Sequence, residues 1–289
     1  MPTKVEKDQV TGVDTTGHEW DGVRELNNPL PRWWLYVFYA SIVYSIAYMV
    51  IFPSVPLGTT YFAGTSDYSA RVEVAETLAA ARDAQGDLLA RVADSDLAAI
   101  RGDQSLLAFS VAGGSAAYAE NCAACHGTGA TGGPGYPNLQ DDDWLWGGDL
   151  NAISATIRHG IRWEQDEDTR YSEMPAFGDG ILSRAEIEAT TQYVLRLAGL
   201  AHDAEAARSG QAVYAEQCAA CHKESGDGDP ELGAPALNDA VWLYAATEEE
   251  ITTQIAKPRH GVMPAWENRL SPVTIKMLTV YVHELGGGQ

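Results

Sequence analysis

A five-residue motif, Cys-Ala-Ala-Cys-His, occurs twice in this chain, at 122–126 and at 218–222. The two copies contain all four cysteines of the 289-residue sequence, so no thiol remains for a disulfide or a zinc site elsewhere. The C-x-x-C-H pattern is the attachment sequence of c-type haem. Its thiols lie about one helical turn apart and can add to the two vinyl groups of one porphyrin, which places the adjacent histidine beside the iron as an axial ligand.

A single copy of this motif would also suit a redox-active dithiol or half of a zinc site. Two copies inside two matching halves of the sequence favour haem over both alternatives. We therefore expect two covalently bound haem c groups. The expected attachment residues are Cys122, Cys125, Cys218 and Cys221, and the expected proximal iron ligands are His126 and His222.

The composition is strongly acidic, with 40 Asp and Glu against 19 Lys and Arg and a formal net charge of −21. This balance excludes a nucleic-acid surface and keeps the protein soluble. It also favours a partner with a basic docking face, although a solvated acidic surface explains the charge more simply. The run 141–143 consists of three aspartates on the Pro-rich loop after the first haem motif, where we expect the haem edge to lie.

The segment from Trp33 to Phe52 contains 20 residues and no charged side chain. A helix of this length crosses the hydrocarbon core of a bilayer, and Pro53 would end it. The alternative is a buried helix of a soluble domain, but no other apolar element lies nearby in the sequence to cover it. Residues 1–32 lack the pattern of a cleavable signal peptide, so 33–53 is predicted to remain as a transmembrane anchor.

Basic residues predict the orientation of this anchor. Arg24 and Arg32 lie just before the span, whereas the first basic residue after it is Arg71. The positive-inside rule places 1–32 in the cytoplasm and the haem motifs in the periplasm, as for a single-pass protein of a bacterial inner membrane. Small and hydroxyl side chains on one face, among them Ser41 and Ser45, predict that the span docks onto other membrane helices.

For residues 54–108 the sequence predicts a short connection followed by an alanine-rich helical arm in the periplasm. Glycines predict breaks in this arm near Gly86 and again near Gly102. No residue in the arm indicates cofactor chemistry.

The haem motifs lie within a sequence duplication that covers about 109–200 and 205–289. Each copy predicts a helix, the haem motif, a Gly/Pro-rich loop, a short helix, a Met-Pro loop and a final helix with a serine N-cap. This order resembles the class I cytochrome c domain, in which a glycine and an aromatic residue of the first helix pack against an aromatic residue of the last. The matching residues are Gly114, Tyr118 and Tyr193 in the first copy and Gly210, Tyr214 and Tyr281 in the second. The predicted fold is therefore all-α, with one N-terminal transmembrane helix followed by two tandem class I cytochrome c domains.

The Met-Pro loops predict the second axial ligands. Met174 and Met263 both begin a Met-Pro-Ala-aromatic sequence, and the cytochrome c family takes its distal thioether from such a loop. His159 and His260 are competing ligands, but they do not occupy equivalent positions in the two copies and are better explained as hydrogen-bonding groups. A swap of the methionines between the two domains remains compatible with the sequence.

The whole chain resembles one family, the membrane-anchored dihaem subunit of cbb3-type cytochrome c oxidase, called CcoP or FixP. Beyond the haem motifs, the resemblance rests on four sequence segments, 18–22, 25–34, 156–161 and 169–175. It implies electron transfer from a soluble or anchored donor cytochrome c through two haems to a monohaem subunit and then to a haem–copper catalytic subunit. Oxygen reduction and proton pumping would belong to that catalytic subunit, and this chain would act as a non-catalytic electron-transfer subunit.

Two other classes of protein share some of these features. A free-standing membrane-anchored dihaem carrier would shuttle electrons between respiratory complexes, but the docking face of the span and the N-terminal segments disfavour it. A dihaem peroxidase needs one haem with a displaceable ligand, and the two Met-Pro loops disfavour that.

Overall fold

The computed structural model describes residues 4–244 and 247–288, and most of these residues are helical. The chain divides into two compact units, Met1–Asp83 and Ala84–Gln289. The mainly helical fold class predicted from the sequence is confirmed.

The first unit begins with a β-hairpin that was not predicted. Strand β1 (Thr15–Trp20) pairs antiparallel with β2 (Val23–Leu26). The turn consists of Asp21 and Gly22, whose φ angles of 46° and 85° are both positive, as a type I′ turn requires. An Asp-Gly pair between two such strands is a strong local hairpin signal, so the sequence did contain the information.

Helix α1 (Arg32–Ile51) follows, displaced by one residue at each end from the predicted span. Within the described residues it is the one helix long and apolar enough to cross a membrane, and none of its apolar window is buried. The Ser41 hydroxyl donates to the Phe38 carbonyl at 2.7 Å, and the Ser45 hydroxyl donates to the Ser41 carbonyl at 2.8 Å. These hydroxyls are therefore satisfied within the helix, and what Ser41 and Ser45 offer a neighbouring helix is their small size.

The connection after α1 contains a second short hairpin, β3 (Pro56–Leu57) and β4 (Thr60–Tyr61). Helix α2 (Ala70–Asp94) then runs through Gly86 without interruption, so the predicted break there is wrong. One glycine costs a helix only about 1 kcal/mol relative to alanine, and the alanine-rich turns around it compensate.

The arm breaks instead at an N-cap. The Asp96 side chain accepts from the Ala99 N–H at 2.7 Å and starts α3 (Leu97–Gly102). This helix ends at the predicted Gly102, and Asp103 caps the next one. The arm is anchored by Lys276, whose ammonium donates to the carbonyls of Val92, Ala93 and Ser95 at 3.2, 2.7 and 2.7 Å.

The remaining helices form the two haem-motif copies. They are α4 (Gln104–Asn121), α5 (Ala123–His126), α6 (Leu150–His159), α7 (Arg184–Leu197), α8 (Ala204–Gln217), α9 (Ala219–His222), α10 (Glu248–Ala256) and α11 (Pro272–His283). The predicted serine N-caps of the final helices are confirmed. Ser183 accepts from the Glu186 N–H within a capping box at α7, and Ser271 accepts from the Thr274 N–H at α11.

The helices do not pair within each copy as expected. Helix α4 packs against α11, and α8 packs against α7. The aromatic contacts follow the same crossing, since the ring centroids of Tyr118 and Tyr281 are 5.5 Å apart and those of Tyr193 and Tyr214 are 5.0 Å apart. The expected pairing of Tyr118 with Tyr193, and of Tyr214 with Tyr281, is wrong.

A short connection explains the crossing. Only residues 198–203 separate α7 from α8, so these helices form an antiparallel hairpin. Gly199, with a φ of 69°, allows the reversal, and the Asp203 N–H donates back to the Gln192 side chain at 2.7 Å. Because α8 covers the packing face of α7, helix α4 packs against α11, the last helix of the chain.

Each hydrophobic core consequently draws residues from both copies. The first core contains Ala117, Tyr118, Ala130, Ile153, Ile157, Trp266, Ile275, Leu278 and Val282. The second core contains Phe177, Ile187, Tyr193, Val194, Leu195, Tyr214, Cys218, Ile251 and Ile255. The predicted boundaries, 109–200 and 205–289, mark the sequence copies, whereas the second core comes from one continuous stretch inserted between the two parts of the first.

Glycine allows α4 and α11 to approach closely. A Cβ at Gly114 would overlap the Met277 carbonyl and the Tyr281 Cβ, whereas a Cβ at Gly113 would meet the end of the flexible Met277 side chain, with its Sδ 2.6 Å away. We predict that Gly114→Ala lowers the free energy of unfolding by about 1–3 kcal/mol, since the helix backbones must separate.

Gly113→Ala is the matched control because it lies in the same helix and brings the same gain in helix propensity, about 0.5–1 kcal/mol. Thermal unfolding of the haem-loaded protein in detergent measures both variants. Equal stability of the two would contradict the packing of α4 on α11.

Candidate haem sites

The first haem motif forms a single helical turn at the end of α4. The Cys122 N–H donates to the Tyr118 carbonyl at 2.8 Å, and the His126 N–H donates to the Cys122 carbonyl at 2.9 Å. The Nδ1 of His126 lies 3.1 Å from the Pro137 carbonyl, which can only accept a hydrogen bond. Nδ1 is therefore the protonated nitrogen, and Nε2 keeps its lone pair for a metal.

The second motif repeats this geometry. The Cys218 N–H donates to the Tyr214 carbonyl at 2.9 Å, and the Nδ1 of His222 lies 2.9 Å from the Pro235 carbonyl. Burial lowers the pKa of His222, and of His126, against the raising effect of these hydrogen bonds. Both imidazoles are thus neutral near pH 7, which is the form that ligates iron.

Each motif presents one covered and one exposed thiol. Cys218 is buried and Cys122 is half-buried, whereas Cys125 and Cys221 are exposed. Burial raises the pKa of Cys122 and of Cys218 to about 11, so these two thiols stay protonated. No disulfide joins the four cysteines, which leaves every sulfur available for a thioether bond.

A cavity beside the first motif is lined by residues of both copies. His126 and Met263 both line it, so the first histidine shares a cavity with the methionine of the second copy. Most of the other lining side chains are apolar, among them Tyr118, Leu139, Trp144, Trp146, Ile153, Ile157, Leu278 and Val282. Such a cavity, with a histidine and a methionine in its lining, would suit a flat, largely apolar macrocycle.

The second site shows the reciprocal exchange. Met174 packs against the core that contains Cys218 and Tyr214, together with Leu237 and Trp242 of the second copy. The methionine of the first copy therefore accompanies the second haem motif. Both sites supply two thiols, one imidazole and one thioether in apolar surroundings, and this set of residues fits haem c.

The competing histidines are engaged in hydrogen bonds. The Nδ1 of His159 lies 3.3 Å from an Asp166 carboxylate oxygen and 3.7 Å from Glu267. The Nε2 of His260 accepts the N–H of Met174 at 3.1 Å. Neither histidine lines the cavity that contains His126 and Met263.

The segment after α6 positions the Met263 loop. Ile161 and Met263 exchange backbone hydrogen bonds at 2.9 and 3.0 Å. Gly160, with a φ of 68°, permits this approach, because a Cβ there would overlap the Met263 carbonyl. The sequence alone gives no signal that Gly160 positions this loop, although Gly160 lies within the segment 156–161 that supports the family resemblance.

Comparison with known proteins gives two family matches. Residues 12–59 match the family described as the N-terminal domain of cytochrome oxidase-cbb3, FixP. Residues 110–194 and 205–282 match the family described as cytochrome c oxidase, cbb3-type, subunit III. Cytochrome domains of this kind bind haem c, in agreement with the two C-x-x-C-H motifs.

Full-length relatives carry names of the same kind. The chain is 49% identical over 281 residues to the cbb3-type cytochrome c oxidase subunit FixPc of Rhizobium leguminosarum bv. viciae, covering 97% of this chain and 98% of the relative. It is 44% identical over 290 residues to the subunit CcoP of Cereibacter sphaeroides, covering 100% of both. Its identity to CcoP of Azospirillum brasilense is 49% over 292 residues, covering 98% and 99%.

The crossed placement of the methionines gives a sharp prediction. In a Cys218→Ala/Cys221→Ala protein, which keeps only the first attachment site, Met263→His should lower the midpoint potential. It should also abolish the weak far-red absorption of Fe(III)–S(Met), because imidazole replaces thioether.

Met174→His in the same background is the matched control and should change neither property. Redox titration and the ferric spectrum measure both effects. Loss of the far-red absorption in the Met174→His protein would contradict the crossed arrangement.

Proposed function

The chain belongs to the CcoP/FixP family of cbb3-type cytochrome c oxidase subunits, and we propose that it carries two haem c groups through which electrons enter that oxidase. As a member of this family it is an electron-transfer subunit of an oxidoreductase complex. We propose further that it contains no oxygen-reducing site of its own, since each site has both a histidine and a methionine that would bind the iron.

The proposed ligand pairs cross between the copies. His126 and Met263 hold the first iron, and His222 and Met174 hold the second. The observation that carries this proposal is the shared cavity of His126 and Met263. Thioether ligation raises the potential relative to two imidazoles, which suits a carrier that receives electrons from a donor cytochrome c.

The protein residues contribute position and exclusion of water. Haem would supply one-electron redox chemistry when bound, and the four thiols would hold the haem groups covalently at α4–α5 and α8–α9. The Tyr118 hydroxyl donates to the Gly127 carbonyl and the Tyr214 hydroxyl donates to the Lys223 carbonyl, both at 2.9 Å. These bonds hold the turn after each haem motif in place, so each histidine would keep its position beside a bound haem.

The proposed location is the bacterial inner membrane, with α1 as the anchor. Arg24 and Arg32 precede α1 and favour a cytoplasmic N-terminus with periplasmic haem sites. The proposed partners are the haem–copper catalytic subunit, a monohaem cytochrome c subunit and a soluble or anchored donor cytochrome c. The competing function is a free-standing anchored carrier, which would need none of the oxidase subunits.

Purification from membranes in mild detergent distinguishes these two functions. We predict that the haem–copper subunit migrates with this chain, and that Ser41→Leu/Ser45→Leu reduces the recovered complex while leaving membrane insertion intact. The added bulk would block close helix approach on the face of α1 that carries the two serines.

The matched control is Val43→Leu/Val50→Leu, which adds bulk on the opposite face of the same helix. This control should leave the complex unchanged. Migration of the wild-type chain without any oxidase subunit would support the free-standing carrier instead.

The acidic run 141–143 marks a proposed entry point for the donor. Asp143 lines the first haem cavity beside Trp144. Partial burial and the neighbouring carboxylate of Asp239 raise the pKa of Asp143, as expected for a concentration of negative charge. A donor with a basic face would be attracted to this cavity mouth, and salt would screen the attraction over a Debye length of about 8–10 Å.

We predict that donor oxidation slows as ionic strength rises, and that changing 141–143 to Asn slows it further at low salt and flattens the salt dependence. Stopped-flow kinetics with a basic cytochrome c measure this, while electron transfer between the two haems stays unchanged. The control removes three exposed charges on α8 and α10 outside the cavity lining, as Glu205→Gln/Glu216→Gln/Glu249→Gln. Equal salt profiles in both triple variants would mean that the run is only a solvated turn.

A further inference from the structure

The side chain of Arg162 joins the two loops that carry the methionines. Its Nε donates to the Gly261 carbonyl at 2.7 Å, and its Nη1 donates to the Ser172 carbonyl at 2.7 Å. Gly261 lies two residues before Met263, and Ser172 lies two residues before Met174. One guanidinium therefore spans equivalent positions of both Met-Pro loops.

His260 provides a second link between the same loops. Its Nε2 accepts the N–H of Met174 at 3.1 Å, although His260 lies only three residues before Met263. The loop that carries one methionine thus fixes the backbone of the other. Both links run between the two proposed haem sites.

The setting of Arg162 indicates that its bridge is specific. The side chain is half-buried, and burial lowers its pKa, yet a guanidinium remains charged in proteins. Its hydrogen bonds to the two carbonyls are therefore charge-assisted, and its rigid fork can hold both acceptors at once. The residue has a φ of 51°, an uncommon conformation outside glycine, and its N–H is held by the Arg170 carbonyl at 2.8 Å.

We propose that Arg162 and His260 are positioning residues that make the two Met-Pro loops one mechanical unit, so that methionine ligation at one haem supports methionine ligation at the other. This inference rests on the proposed ligand pairs, His126 with Met263 and His222 with Met174. It goes further by stating that neither pair is independent. Loosening the shared bridge would let both thioethers leave their irons more readily.

The test is displacement of methionine from ferric iron by free imidazole, followed through the far-red absorption of the full-length, haem-loaded protein. Two backgrounds isolate the sites, since Met174→His leaves only Met263 as a thioether ligand and Met263→His leaves only Met174. Arg162→Gln should lower the apparent Kd for imidazole about tenfold in both backgrounds, the effect of losing one charge-assisted hydrogen bond.

Arg259→Gln is the control for charge. The Arg259 guanidinium stacks over the Tyr244 ring at 4.6 Å and lies in the same loop region, but it does not bridge the methionine loops. This variant should leave the Kd unchanged in both backgrounds. Arg162→Lys keeps the charge without the planar fork, so it should fall between wild type and Arg162→Gln, and it serves as the test if Arg162→Gln does not fold.

His260 gives an independent pair of variants. His260→Leu removes the acceptor for the Met174 N–H and should lower the Kd in the background that retains Met174. His260→Gln places an amide oxygen near the position of Nε2 and should restore it. If His260 only filled space, His260→Gln would not restore the Kd for imidazole in this way.

Each of the following outcomes overturns the proposal. If Arg162→Gln acts at one haem only, or no more than Arg259→Gln, the loops are not coupled. If His260→Leu does not change the Kd for imidazole in the background that retains Met174, the hydrogen bond from the Met174 N–H to His260 does not stabilise methionine ligation. If the wild-type ferric protein lacks the far-red absorption, the proposed methionine ligation is wrong and the coupling is wrong with it. If the wild-type protein shows the absorption but no variant changes the Kd for imidazole, only the coupling is wrong.

Discussion

The six-residue connection between α7 and α8 constrains the whole haem-bearing part of the chain. Because it is short, it favours an antiparallel pairing of α7 with α8, and α4 packs against the last helix instead. Glycines at the two crossings, Gly114 and Gly210, then allow backbones to meet where any side chain would overlap. The crossed cores, the shared cavity and the exchanged methionines all depend on this connection.

Because both cores draw residues from both copies, the two sites lie within one connected structure. The segment after α6 contacts the Met263 loop through Ile161, and the Gly178 N–H donates at 2.9 Å to the carbonyl of Ala256, the last residue of α10. A rigid frame around both sites benefits electron transfer, because ligands that hold their positions need little rearrangement when the charge at a metal changes.

Sequence reasoning succeeded where the signal is local and failed where packing decides. The N-caps Ser183 and Ser271 are confirmed, and they depend on patterns only a few residues long. The ligand roles of the haem motifs and the Met-Pro loops stay predictions. The Asp21-Gly22 hairpin is also local, since an Asp-Gly pair between two short strands favours a type I′ turn. The break expected at Gly86 failed because neighbouring helix propensity outweighs one glycine. The pairing of Tyr118 with Tyr281 spans most of the haem-bearing chain, and neither copy contains a local signal for it.

The insertion of one core within the other also determines the order in which a growing chain can close them. Residues 174–256 supply every part of the second core, whereas the first core waits for α11, the final helix to be synthesised. At a synthesis rate of about 5–20 residues per second, the delay after Cys122–His126 has emerged is on the order of ten seconds. The core around the earlier haem motif can therefore be completed only after the core around the later one has all of its residues.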